Sequence, residues 1–127
     1  MPWARIGFRA LAWFYVLAVM LQFWLAGFGL PQFGGHSLEP HRILGHVLTI
    51  VAIALFLLAL ASKADKVTIG MTVVLFLLVF LQPIWTDGGV DPKWLNAFHV
   101  FDALLIFILS FHIALHRADR AAMPSPA

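Results

Sequence analysis

The sequence predicts an all-α, four-helix transmembrane bundle running up-down-up-down, with both termini on the cytoplasmic side. Three observations predict it. The 127 residues are 62% hydrophobic and only 11% charged, against about 25% charged in a soluble domain, and a water-soluble fold this small could not hide so much apolar surface. Four apolar segments each approach the roughly 20 residues that a spanning helix needs. The connections between them are short, which makes successive helices antiparallel neighbours.

The first predicted helix runs from about Phe8 to Leu30. Arg5 and Arg9 precede it as in a signal peptide. The apolar run from Ala10 to Leu30 outlasts the roughly 7–15 residues of a signal h-region, and no A-x-A site closes it, so it is read as a retained helix. A loop from Pro31 to Pro40, containing Gly34 and Gly35, leads to a second helix over His41–Ala61. The polar turn Ser62–Lys66 leads to a third over Val67–Trp85, and Thr86–Lys93, with Gly88 and Gly89, leads to a fourth over Trp94–His116. Ala121–Ala127 reads as a short frayed tail. Apolar residues surround every helix rather than forming one stripe, as expected where lipid and protein together cover all faces. The whole chain reads as one transmembrane domain.

Lysine and arginine set the orientation. Arg5, Arg9, Lys63, Lys66, Arg117 and Arg120 fall on one side and only Arg42 and Lys93 on the other. That bias puts the Ser62–Lys66 turn inside and the two Gly-containing loops outside. Trp24, Trp85 and Trp94 fit an outer aromatic belt and Trp3 an inner one.

Composition also excludes functions. With no cysteine, iron–sulfur clusters, thiolate zinc and covalent haem attachment are ruled out. The net charge of +2 comes from few residues at helix ends, so no nucleic-acid partner is expected. No nucleophile–base pair, phosphate loop or carboxylate dyad is present, and the chain alone is not expected to catalyse a reaction.

Chemistry is concentrated in a polar layer. A weak internal repeat runs from Leu21-Gln22-Phe23-Trp24 through Pro40 to His46, and from Leu81-Gln82-Pro83-Ile84-Trp85 through Pro92 to His99. His46 lies six residues after Pro40 and His99 seven after Pro92; at ~1.5 Å per residue both stand roughly 10 Å along helices that start on the same face. Gln22 is at a comparable level and Gln82 nearer the surface. Asn96, His99 and Asp102 share a face of the fourth helix. Two histidines at equal depth on two helices suit the axial ligation of a haem iron from opposite faces. Gly45 would let a flat macrocycle approach the backbone. Gln22, Gln82, Asn96 or Asp102 would accept the second ring N–H of a ligating histidine.

Other readings remain beside this one. Buried histidines also hydrogen-bond neighbouring helices without a cofactor, and His46 with Asp102, or His99 with Gln22, would satisfy that need. The same histidines suit a chlorophyll magnesium, copper or a quinone head group. His41 competes with His46 from an interfacial position. His36, His41 and His46 are five apart and share no helical face, a weak pattern for an external copper or zinc site. His112 and His116 are four apart near the inner end, a metal spacing that also fits interfacial padding. Unpaired in hydrocarbon, Asp102 is cheapest as its neutral acid; it reads as a hydrogen-bond partner or as a proton carrier.

The stretches Leu21–Gly29, Pro40-His41-Arg42-Ile43-Leu44-Gly45-His46 and Asn96–Phe107 resemble a family of small four-helix bacterial membrane proteins classed only as a domain of unknown function. The family's helix-two motif resembles His-x-x-Leu-Gly and its helix-four motif His-Pro-x-Asn, which fall on His41 and His99. Here Val100 stands where Pro is usual and Asp102 where Asn is usual. The resemblance implies no activity, but it puts His41 in the place of His46 if the motif marks the ligands. The architecture also resembles b-type membrane cytochromes, at the level of fold.

The expected function is therefore that of a one-haem, b-type membrane subunit with bis-His ligation near the outer face. Its candidate site residues are His46, His99, His41, Gln22 and Asp102, with His46 and His99 on the iron. It would carry electrons between a quinol pool or partner subunit and an outer acceptor, in a bacterial inner membrane. The alternative is a cofactor-free structural or assembly subunit of a larger complex, or a pigment-binding photosynthetic subunit. The expected partners are the lipid bilayer, other membrane subunits or further copies of the chain, and a quinone.

Overall fold

The structure is a computed structural model that describes residues 2–87, 94 and 97–116. Expectations that fall on Gly88, Gly89, Lys93, Asn96, Arg117, Arg120 and Ala121–Ala127 lie outside the described residues. Four helices make up the fold: α1 (Pro2–Phe28), α2 (Glu39–Ala61), α3 (Lys66–Asp87) and α4 (Ala97–Leu115). All four are long and apolar enough to cross a membrane. Among the described residues there is no strand.

Each helix turns one column of side chains inward. In α1 it is Ala4, Phe8, Ala12, Tyr15 and Val19; in α2, Leu48, Ala52, Leu55 and Ala59. In α3 it is Thr68, Thr72, Leu75 and Val79, and in α4 Asp102, Ile106, Ser110 and Ile113. The three- and four-residue steps are those of one helical face. Small residues recur in these columns and let helix backbones approach closely, the usual device where lipid is as apolar as the interior. Thr72 and Ser110 donate their hydroxyls to carbonyls of their own helices, at Ile69 and Phe107, so neither is left as a buried unpaired polar group. The outward faces carry Ile6, Leu17, Ile50, Val67 and Val100, each at least 60% exposed. An apolar surface that extends round all four helices is far larger than a soluble monomer tolerates.

α1 begins well before the predicted boundary at Phe8. Proline is preorganised for a first helical turn, and Ala4 is fully buried against the bundle, so packing extends the helix past the last apolar run. Each helix packs on its sequence neighbours, and α1 also packs on α4. The four therefore close into a ring in which α2 stands opposite α4.

The α2–α3 connection is built from local hydrogen bonds. Ala64 N–H reaches back to the Ala59 carbonyl and Lys63 N–H to Leu60, a Schellman closure with Lys63 in the left-handed region at φ 55°. Asp65 then caps α3: its Oδ1 accepts from the Val67 and Thr68 N–H groups at 2.9 and 3.0 Å, and its Oδ2 accepts from the Thr68 hydroxyl at 2.8 Å. The Thr68 N–H bond above all holds this carboxyl below the usual carboxylate range. His116, at the end of α4, lies 3.5 Å from Asp65 and ties that helix to the turn. In the α1–α2 connection a 3-10 turn over Pro31–Phe33 ends on Gly34 at φ 103°, a conformation that side chains oppose, and His36 stacks on Phe28 with ring centroids 4.1 Å apart.

Candidate functional site

Each hairpin brings a glutamine and a histidine together, by a different contact. His41 is the third residue of α2 and His99 the third of the described α4. At the end of α1, the Gln22 backbone carbonyl accepts from the His41 ring at Nδ1, 3.2 Å away. Towards the end of α3, the Gln82 amide donates to the His99 backbone carbonyl at 3.3 Å. Pro83 follows Gln82 inside α3; it has no N–H for the carbonyl of Val79, and Val79 and Pro83 both line the space between the helices.

Because α2 and α4 are opposite, His41 and His99 meet across the bundle. Their ring centroids are 6.1 Å apart and their planes 72° apart. The Nδ1–H of His41 is committed to a carbonyl, which fixes the tautomer with a lone pair on Nε2. That is the outer-shell arrangement of a metal-binding imidazole.

Both rings line a cavity of about 270 Å³ to which all four helices contribute. Its floor is apolar, from Val19, Leu48, Val79 and Ile106. It is open at the surface, where Phe23, His46 and Val100 line it and are exposed, so an occupant is not confined to that volume. Gly45, one turn below His41, also lines it, and a Cβ there would stand 3.2 Å from the Gln22 amide nitrogen. A glycine at this point lets α1 and its amide lie against α2.

Asp102 is one turn below His99 and 6% exposed, and neither carboxyl oxygen closes a hydrogen bond. The Trp85 indole, the Gln82 amide and the His99 ring are the polar groups that act on it. The Trp85 indole N–H and the Gln22 side-chain oxygen are likewise buried without a bond. From sequence, Trp85 reads only as a belt residue; nothing beyond the short Gln82-Pro83-Ile84-Trp85 run signals its place beside Asp102.

The predicted residues thus separate. His41, His99 and Gln22 come together, Asp102 lies just beneath, and His46 stands at the rim of the same cavity, on a different face of α2 from His41. The proposed His46–Asp102 and His99–Gln22 hydrogen bonds are not formed. Nor do His36, His41 and His46 converge, and among the described residues no group of three His, Cys, Asp or Glu side chains is placed to hold a metal ion. His112 and His116 stack with centroids 5.9 Å apart at the other end of α4.

Residues 22–87, which contain His41, Gly45 and Gln82, match the family of unknown function DUF6220. The chain belongs to that family. The match to DUF6220 begins at Gln22 and stops before α4, so it covers one histidine of the facing pair and not the other. No curated protein and no solved structure matches the chain.

Proposed function

We propose that this DUF6220 protein is a haem b-binding membrane subunit that carries electrons, with His41 and His99 as the axial ligands. The observation that carries this reading is the pair of rings facing across opposite helices at 6.1 Å, with His41 Nδ1 already occupied by the Gln22 carbonyl. The donor set fits the group. Two imidazoles suit an iron that takes ligands on both porphyrin faces, and the apolar floor keeps water from the ring. When bound, the haem would supply a one-electron redox centre. The chain's residues would bind and orient it: His41 and His99 hold the iron, and the Gln22 carbonyl fixes the His41 ring.

In this reading the helices run up-down-up-down in a bacterial inner membrane, with both termini cytoplasmic and the site near the outer face. The lysine and arginine bias supports that orientation. Electrons would pass between a quinol or partner subunit and an acceptor outside.

Haem titration of the purified protein tests the ligand pair. His41→Ala and His99→Ala should each abolish the low-spin spectrum, whereas His46→Ala and His112→Ala should leave it unchanged. A spectrum that survives His41→Ala but not His46→Ala overturns the assignment.

A further inference from the structure

The open side of the cavity has chemistry that the facing pair does not use. Phe23, Arg42, His46 and Val100 line it and are all exposed, Val100 to 67%. His46 is seven residues beyond the first residue of α2, or roughly 10 Å along the axis at ~1.5 Å per residue. In the proposed membrane placement this rim faces acyl chains rather than water. An imidazole exposed there is costly and is expected to have a partner. No group of the described chain supplies one, since the His46 ring makes no hydrogen bond within it.

We propose that the rim binds the head group of a membrane-soluble quinol, with His46 hydrogen-bonding one of its ring oxygens. A ligand that reaches this opening travels through the bilayer and must be largely apolar. It must also present an uncharged oxygen to an imidazole, and a flat ring suits the face of Phe23. A quinol has all three features. A phospholipid presents a charged phosphodiester rather than an uncharged ring oxygen. The inference deepens the electron-transfer reading by naming the reductant, but binding at His46 is tested without it.

The test is photolabelling of the full-length protein in nanodiscs with a short-tailed azidoquinone, followed by peptide mapping and haem assay of the same sample. The expected result is labelling of α2 around His46 that excess decylquinone suppresses and excess phosphatidylglycerol does not. Losing one hydrogen bond of roughly 0.5–1.5 kcal/mol predicts labelling up to about tenfold weaker in His46→Ala, with haem content unchanged and with His46→Gln restoring most of it. Equal labelling of His46→Ala, competition by phosphatidylglycerol, or labelling spread over the lipid face overturns the proposal. Haem-loaded protein without competable labelling overturns the quinol site alone. His46-dependent labelling of a protein that takes up no haem upholds the site and removes the haem reading.

Discussion

At the residue scale, the pairing of two rings turns on which helix-two histidine faces inward. Counting from proline pairs His46 with His99, because Pro40 and Pro92 look like equivalent helix starts. In the structure the helix-two ring that faces His99 is that of His41, with centroids 6.1 Å apart, while His46 lies on another face of α2. The family-like motif points to His41 and His99, whereas the count from proline points to His46 and His99. Residue identity alone could point to Gln22, His41, His99 and Gly45; it could not show which atom of Gln22 would be used, and the backbone carbonyl is the one that His41 reaches. Two predictions belong here. Ring planes at 72° should give a ferric haem a strongly anisotropic low-spin electron paramagnetic resonance signal, and the rhombic signal of near-parallel imidazoles would contradict the geometry. Gly45→Leu should push the Gln22 amide, 3.2 Å from a Cβ at that position, into the cavity and lower haem occupancy, with overpacking costing about 1–3 kcal/mol of stability. Unchanged occupancy in a folded Gly45→Leu protein would show that Gly45 is not next to the bound group.

At the element scale, four helices were legible because an uninterrupted apolar run of about 20 residues matches the thickness of a bilayer and little else. Their ends were less so, since hydropathy does not register an alanine such as Ala4 that packs beyond the apolar run. The α2–α3 turn shows what local chemistry adds. Asp65 has its carboxyl below the usual range, so the cap contributes stability that is present above the unfolded carboxylate pKa of about 3.9 and is lost as pH falls through the lower folded value. Asp65→Ala should cost ~1 kcal/mol near neutral pH and should flatten the acid limb of a thermal-unfolding profile in detergent below about pH 4. An unchanged limb would mean that the cap does not form. Lys63→Gly should raise the melting temperature, because a non-glycine residue in the left-handed conformation costs roughly 1–2 kcal/mol; a fall would place Lys63 outside that region.

At the scale of the whole molecule, composition alone made a lipid-facing bundle legible, whereas the ring of helices that sets α2 opposite α4 came only from packing. That arrangement turns two sequence-distant histidines into a facing pair, and no spacing rule along the chain encodes it. The proposed orientation predicts that a cysteine at Gly88 reacts with a membrane-impermeant maleimide in intact cells and one at Ala64 does not; the reverse pattern would put the site at the cytoplasmic face. The central claim, that the facing pair holds a haem, is tested most directly by a reduced-minus-oxidised absorption spectrum of the purified protein with its pyridine haemochrome. The account predicts a Soret band, sharp α and β bands on reduction and one b-type haem per chain. A featureless spectrum after haem-replete growth, or far-red pigment bands in its place, would contradict it.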